Sequence, residues 1–179
     1  MNYICGMKIF LILTVSHLFA ISAKGQPYQD SGFTHKSEAK NLLINDLKEG
    51  KWLEYLDENE KLILDTTKIS DTGIVAKYYR LIIYCGGNPC GLVRYYYKYS
   101  DGENILFREI PYTNGKMNGV YKEYYPDGLI HREYPYTNGA ENGMAKDYWD
   151  GGGVKYETKY TNGKEGAKKS YDESGNEIK

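Results

Sequence analysis

Few residues in this chain have side chains suited to bond-making chemistry: three cysteines and three histidines. Cys5 and His17 lie in an apolar N-terminal stretch, and His35 follows soon after it. His131 stands inside a strand-like segment, at a position that Phe107 and Lys155 hold in neighbouring copies of a repeat. A residue replaced by Phe and Lys at equivalent places reads as an exposed strand residue rather than a general base. The sequence contains no Gly-x-Ser-x-Gly, no His-Glu-x-x-His, no phosphate-binding loop and no Asp-rich calcium loop. These observations predict a protein that is not an enzyme, with no catalytic residue, no metal site and no cofactor. Formal net charge is −1, and basic residues alternate with acidic ones, which argues against nucleic acid or an acidic membrane surface as partner.

Cys85 and Cys90 are the cysteines that remain once the N-terminal stretch is set aside. They flank Gly86-Gly87-Asn88-Pro89, a tight loop at whose base two chain directions come close. A disulfide needs Cα atoms about 5.5–6 Å apart, which such a loop base supplies. Free thiols or a two-ligand metal site are the alternatives; two cysteines with no nearby histidine make a poor zinc site.

The elements that must position any site follow from a repeat. Tyr112-Thr113-Asn114-Gly115 recurs as Tyr136-Thr137-Asn138-Gly139 and as Tyr160-Thr161-Asn162-Gly163, a step of 24 residues each time. Glu109, Glu133 and Glu157 keep the step, as do Gly119 and Gly143. A fixed period of this length means stacked copies of one supersecondary unit. Within a unit, Val120–Pro126 and Leu129–Tyr136 are rich in Tyr, Ile and Val, with charges interleaved. That is strand composition. Asn114-Gly115, Asn118-Gly119 and Asp127-Gly128 supply residues that accept positive φ, as tight hairpins require. About five units result, at roughly 50–64, 84–111, 112–135, 136–159 and 160–179. Residues 65–83 fit no copy, although 74–84 reads as a fully paired strand.

The unit Asn114–Tyr136 resembles the MORN-repeat variant of bacterial proteins of the YwqK type, often labelled toxin–antitoxin antitoxin components. The resemblance covers roughly residues 46–179. It implies a row of β-hairpins in one elongated antiparallel sheet, no conserved catalytic group, and an antitoxin-like function that neutralises a toxin by binding it.

With Asp127-Gly128 as the loop residues, Lys122 falls opposite Glu133, Glu123 opposite Arg132 and Tyr121 opposite Tyr134. With Gly151-Gly152 as the next loop, Lys146 falls opposite Glu157. Facing opposite charges contribute about 0.2–1 kcal/mol each, so the columns read first as an ion ladder that holds register. The alternative makes the column Lys122, Lys146 and Lys169 a docking surface for an acidic partner. Tyrosine outnumbers phenylalanine 20 to 4, which suits a thin sheet whose large side chains need an apolar body and a polar tip. The row Tyr96, Tyr124, Tyr148 and Tyr171 is accordingly either packing between hairpins or an aromatic platform for a partner protein, a peptide or a glycan.

The N-terminus has the three-part plan of a secretory signal: Lys8, then an apolar run from Ile9 to Ala23, then Ala23-Lys24-Gly25 before Gln26. The run is about 15 residues, short of the roughly 20 that span a bilayer. Residues 1–25 are therefore expected to be a signal peptide and the protein to be periplasmic or secreted, with no membrane contact beyond that signal. Residues 26–45 form an N-terminal segment with a short helix, capped by Ser37 and running through Glu38–Ile44, which covers the first edge of the sheet. Residues 46–179 form the repeat domain. The expected fold is all-β: a single-layer antiparallel sheet of tandem hairpins, serving as a non-catalytic protein-binding scaffold, with an antitoxin or a glycan-binding surface as alternatives.

Overall fold

A computed structural model describes residues 33–64, 76–99 and 104–178. The expected signal peptide and its cleavage site lie outside the described residues. The fold is all-β, a single open antiparallel sheet of 13 strands. In chain order these are β1 (Leu42–Ile44), β2 (Leu47–Leu56), β3 (Tyr78–Cys85), β4 (Asn88–Lys98), β5 (Asn104–Thr113), β6 (Lys116–Met117), β7 (Gly119–Tyr124), β8 (Ile130–Thr137), β9 (Ala140–Glu141), β10 (Gly143–Tyr148), β11 (Val154–Thr161), β12 (Lys164–Tyr171) and β13 (Glu177–Ile178). Spatial order follows chain order, with the short β6 and β9 continuing the lines of β7 and β10 against β5 and β8.

Two kinds of turn alternate. Asn114-Gly115, Asn138-Gly139 and Asn162-Gly163 have positive φ at both residues, the backbone that matches the twist of the flanking strands. Each glycine amide also donates outward, to the carbonyls of Pro89, Met117 and Glu141 at 2.8–2.9 Å, so each turn is bonded to the preceding one. At the opposite ends the loops have three residues. Tyr125 donates to the Leu129 carbonyl at 2.8 Å, and Gly128, at φ +89°, donates back to Tyr125. The same pattern recurs at Trp149–Gly153 and Asp172–Asn176. It recurs again at Asp57–Lys61, where Glu60 takes positive φ, at +59°.

The three-residue loop changes the pairing near the turn. Lys122 does face Glu133, Glu123 faces Arg132 and Tyr121 faces Tyr134, as the sequence predicts. Tyr124, however, pairs with Ile130, leaving His131 as the extra residue of a β-bulge. Lys155 and Phe107 are the corresponding extra residues between β10 and β11 and between β4 and β5. The loop adds one residue, the bulge absorbs it, and the register beyond is restored.

The expected helix over Glu38–Ile44 is corrected. One 3-10 turn, Lys36–Glu38, precedes an edge strand, β1, that pairs with Leu47–Glu49. Asn41, Asn45 and Asp46 all take positive φ, which a right-handed helix cannot contain, and Asn45-Asp46 closes the hairpin. The edge of β2 is covered, as expected, but by extended chain: Lys40 and Asn41 donate to the Lys51 carbonyl, and Ile63 donates to Tyr55.

The core is uneven. β3 pairs on both sides and carries the buried Leu81, Ile82 and Ile83. Leu56, Ile82, Val93, Phe107 and Ile110 pack on one face, and Phe33, Tyr79, Leu81 and Ile83 on the other. From Gly119 onward only Ala145 and Thr158 are buried among the described residues.

Candidate functional site

Each face of the sheet carries a line of charged and aromatic side chains running straight across the strands. On one face the Cα partners run Arg94, Glu109, Lys122, Glu133, Lys146, Glu157 and Lys169, an unbroken alternation of sign. On the other they run Glu54, Arg80, Tyr95, Arg108, Glu123, Arg132, Asp147 and Tyr156. We call these the Lys122 face and the Arg108 face.

The Lys122 face holds all the binding residues proposed from sequence, and it engages them internally, Tyr96 through its ring and the others through their polar ends. Arg94 meets Glu109 at 3.0 Å, Lys122 meets Glu133 at 3.5 Å, and Lys146 meets Glu157 at 3.2 Å. Lys169 bonds Glu177 at 3.0 Å. From the other side of each glutamate a tyrosine donates its hydroxyl: Tyr124 to Glu109 at 2.7 Å, Tyr148 to Glu133 at 2.8 Å, and Tyr171 to Glu157 at 2.9 Å. Tyr96 stacks on Tyr79 with ring centres 4.8 Å apart. Burial first, then the bond to Glu133, pushes the Tyr148 hydroxyl up to about 12. Glu157 is held below its ordinary value by the Tyr171 and Lys146 hydrogen bonds. The two columns and the tyrosine row thus form one repeated Lys–Glu–Tyr cluster between hairpins.

The Arg108 face begins with a buried ion cluster. Glu54, 4% exposed, accepts from Arg80 Nε at 2.6 Å, from the Tyr84 hydroxyl at 3.0 Å and from Lys48. Burial alone would raise its carboxyl; the Arg80 charge and the Lys48 and Arg80 hydrogen bonds outweigh this and hold it below its ordinary value. Further along, Arg108 Nε bonds Glu123 at 3.3 Å and Arg132 Nε bonds Asp147 at 3.1 Å, the same contact one repeat later. Sequence reasoning did not single out this second line. The period could have found it, because Arg108/Arg132 and Glu123/Asp147 both keep the 24-residue step.

The bulged residues also fall on the Arg108 face. Phe107 packs on Tyr97 and His131 on Tyr125, with ring centres 4.5 Å apart in both, while the Lys155 ammonium lies 4.1 Å over the Trp149 ring. His131 is therefore a packed, partly buried residue, unlike the exposed one expected. Burial, then the neighbouring Arg132 charge, lowers its imidazole below the usual value. Between the second and third of these pairs lies a polar cleft of about 280 Å³, lined by Tyr125, His131, Arg132, Lys155, Tyr156 and Lys168 among others. Lys168 sits 4.0 Å over the Tyr156 ring. The cleft offers aromatic surface and cations that recognise an anion; such rings hold a cation in place without neutralising it.

Cys85 and Cys90 form a disulfide across the Gly86-Gly87 turn, with Cα atoms 5.9 Å apart. Comparison with protein-family models, with curated proteins and with solved structures finds no match.

Proposed function

We propose that this chain is a non-catalytic, exported scaffold that binds another protein through the open half of its sheet, and that it is a MORN-type repeat variant. The observation that carries the binding reading is the change in burial along the array. β2 to β5 hold a core on both faces, whereas β7 to β12 continue for five further full-length strands with two buried residues. Repeat strands that extend a sheet beyond its own core, rigidly cross-braced and rich in Tyr and Arg, are suited to presenting a surface; those residue types are enriched in the centres of protein interfaces. Export is supported by the signal-like N-terminus and by the Cys85–Cys90 disulfide, since disulfides persist in oxidising compartments. No helix among the described residues is long and apolar enough to cross a membrane.

The test uses the chain as bait in envelope fractions of its source cell, in parallel with Lys122→Glu/Lys146→Glu on one face and Lys155→Glu/Lys168→Glu on the other. A partner identified by mass spectrometry and reconstituted from pure components should be lost with one pair and kept with the other. Equal capture by all three baits removes the sheet faces as the binding surface. A toxin gene beside this one, with the toxin as captured partner, would make the protein an antitoxin or immunity protein within the same reading.

A further inference from the structure

The repeat places one arginine in two different settings, and the difference points to a ligand. Arg108 and Arg132 are equivalent: each aims Nε at the acid on the next strand, Glu123 or Asp147. The remaining edge of the Arg108 guanidinium is occupied by Glu60. That carboxylate comes from the loop 57–61 and is gripped two-pronged, Nη1 to Oε2 at 2.6 Å and Nη2 to Oε1 at 3.1 Å. Glu60 sits at the left-handed position of its loop, 48 residues from Arg108, and closes the smaller cleft beside Tyr97 and Phe107. One unit later no loop carboxylate fills the corresponding place among the described residues. The Arg132 side chain is 44% exposed against 19% for Arg108. Its Nη1 contacts Glu123 at 3.2 Å, and Asp147, bonded to Nε, lines the cleft as well. The cleft beside it is the larger one, and the cations Lys155 and Lys168 have been added to its wall. Among the described residues neither ammonium pairs with a carboxylate; both are held over aromatic rings.

We infer that this cleft, between the second and third loop ends on the Arg108 face, binds an acidic peptide segment of a partner protein, one of whose carboxylates meets the more exposed Arg132 guanidinium as Glu60 meets that of Arg108. This rests on the scaffold reading above and specifies the surface it uses. The chain supplies its own precedent for the occupant: a glutamate on a tight, solvent-exposed loop, held by an arginine fork. Such forks match a carboxylate in geometry as well as charge. Lys155 and Lys168 add positive charge for neighbouring acidic residues, and the rings of Tyr125 and Tyr156 give apolar contact along the peptide.

The probe is a fluorescein-labelled peptide of consecutive glutamates, followed by polarisation and by amide chemical shifts of the protein, with the matching glutamine peptide and an oligogalacturonate as the other arms. The glutamate peptide should bind, shift the amides around His131–Tyr134 and Lys155–Tyr156, and weaken steeply with added salt. Arg132→Ala should weaken it about tenfold, the scale of one lost charge-assisted bond. Lys168→Gln, which breaks no ion pair, should weaken it several-fold, and Lys122→Gln on the opposite face should leave it unchanged. Absence of glutamate-peptide binding, shifts confined to the Lys122 face, indifference to Arg132→Ala, or binding of the oligogalacturonate alone would each overturn the inference. If the pull-down then still yields a face-dependent partner, the scaffold reading survives without this cleft.

Discussion

The Tyr148 hydroxyl donates to the Glu133 carboxylate at 2.8 Å, from one hairpin to the next and from 15 residues further along the chain. Tyr124 and Glu109 stand in the same relation one repeat earlier, and Tyr171 and Glu157 one repeat later, shortened by one residue. Hairpins joined only by backbone ladders and by small cross-strand pairs would be weakly coupled. A tyrosine that reaches back to an ion pair in the previous unit ties neighbours together, which is the kind of interface on which repeat arrays depend.

Removing that hydroxyl should therefore be felt across the unit boundary. Tyr148→Phe keeps the ring and leaves Glu133 with Lys122 alone. A hydrogen bond to a charged acceptor contributes about 1.5–3 kcal/mol when shielded, and the partly exposed site lowers this to roughly 1 kcal/mol. Tyr160→Phe is the control, since its ring contact with Tyr134 survives the change. Urea unfolding should show the midpoint drop for Tyr148→Phe and little change for Tyr160→Phe.

The same bond makes the array sensitive to alkali. The hydroxyls of Tyr134, Tyr136 and Tyr148 are pushed up to about 12, by burial first and by carboxylate contacts next. A phenol whose folded value lies above its unfolded value of 10.0 contributes stability that is complete below pH 10 and is lost as pH rises through about 12. Absorbance of tyrosinate against pH should rise late, above pH 10, and coincide with loss of sheet signal in circular dichroism. A titration centred at 10 in the folded protein would contradict the cross-hairpin bonds.

Acid acts on the other face. Glu54 is held below its ordinary value of 4.5, so its contribution is full above that pH and disappears as pH falls through the lower folded value. Its partners Lys48 and Arg80 keep side-chain exposures of 29% and 23%, so Glu54→Gln leaves them partly solvated. The cost at neutral pH should be about 2–3 kcal/mol, below the 3–5 kcal/mol typical of a fully buried pair. The variant should also lose less stability than the wild type between pH 5 and pH 3, in the sense of a flatter acid limb rather than a higher one.

Much of this architecture is legible in the sequence because turn residues and period act together. Asn-Gly pairs fix the tight turns, Asp127-Gly128 fixes which strands face, and the Lys122–Glu133 and Lys146–Glu157 pairings follow by counting. Counting fails within one residue of the loop: Pro126-Asp127-Gly128 is a three-residue loop, and the bulge at His131 that offsets it leaves no compositional mark, since Phe107, His131 and Lys155 are chemically unlike. The N-terminal helix fails for a related reason. Leu42, Leu43 and Ile44 suit either structure, and the deciding residues are Asn41, Asn45 and Asp46, whose tolerance of positive φ favours the hairpin. The Arg108–Glu60 contact joins residues 48 apart in unlike units, and no period shows it.

Cys85–Cys90 tests the loop at the start of the array. Both thiols should resist alkylation until the protein is reduced. The closed loop is short, with a sequence separation of 5, so reduction should cost only about 2 kcal/mol in the chain-entropy account. Cys90 is buried against Phe33 and Leu81, so Cys90→Ser should cost more than reduction does, through loss of apolar contact.

Gly143 gives the sharpest test of the repeat, because two constraints meet there. Its φ is +137°, and a Cβ would stand 2.7 Å from Cγ of Pro135 on the neighbouring strand. Gly119 has the same arrangement with Pro111, at φ +125° and 2.9 Å. In both, the residue before the glycine donates to the proline carbonyl, Asn142 to Pro135 at 2.8 Å and Asn118 to Pro111 at 2.9 Å, so the strands cannot move apart without losing a bond. The proline ring is stiff and cannot turn away as a long side chain would. Gly143→Ala should therefore cost about 2–3 kcal/mol, the sum of backbone strain and a forced displacement. Gly151→Ala is the matched control in the adjacent loop, where a Cβ meets nothing within 4 Å; it should be neutral or slightly stabilising. Gly139→Val, at φ +89° with only Lys116 Cβ at 3.9 Å, isolates the backbone strain and should fall between the two. Thermal unfolding that ranks Gly143→Ala no lower than Gly151→Ala would refute the close packing of glycine on proline at the start of β10.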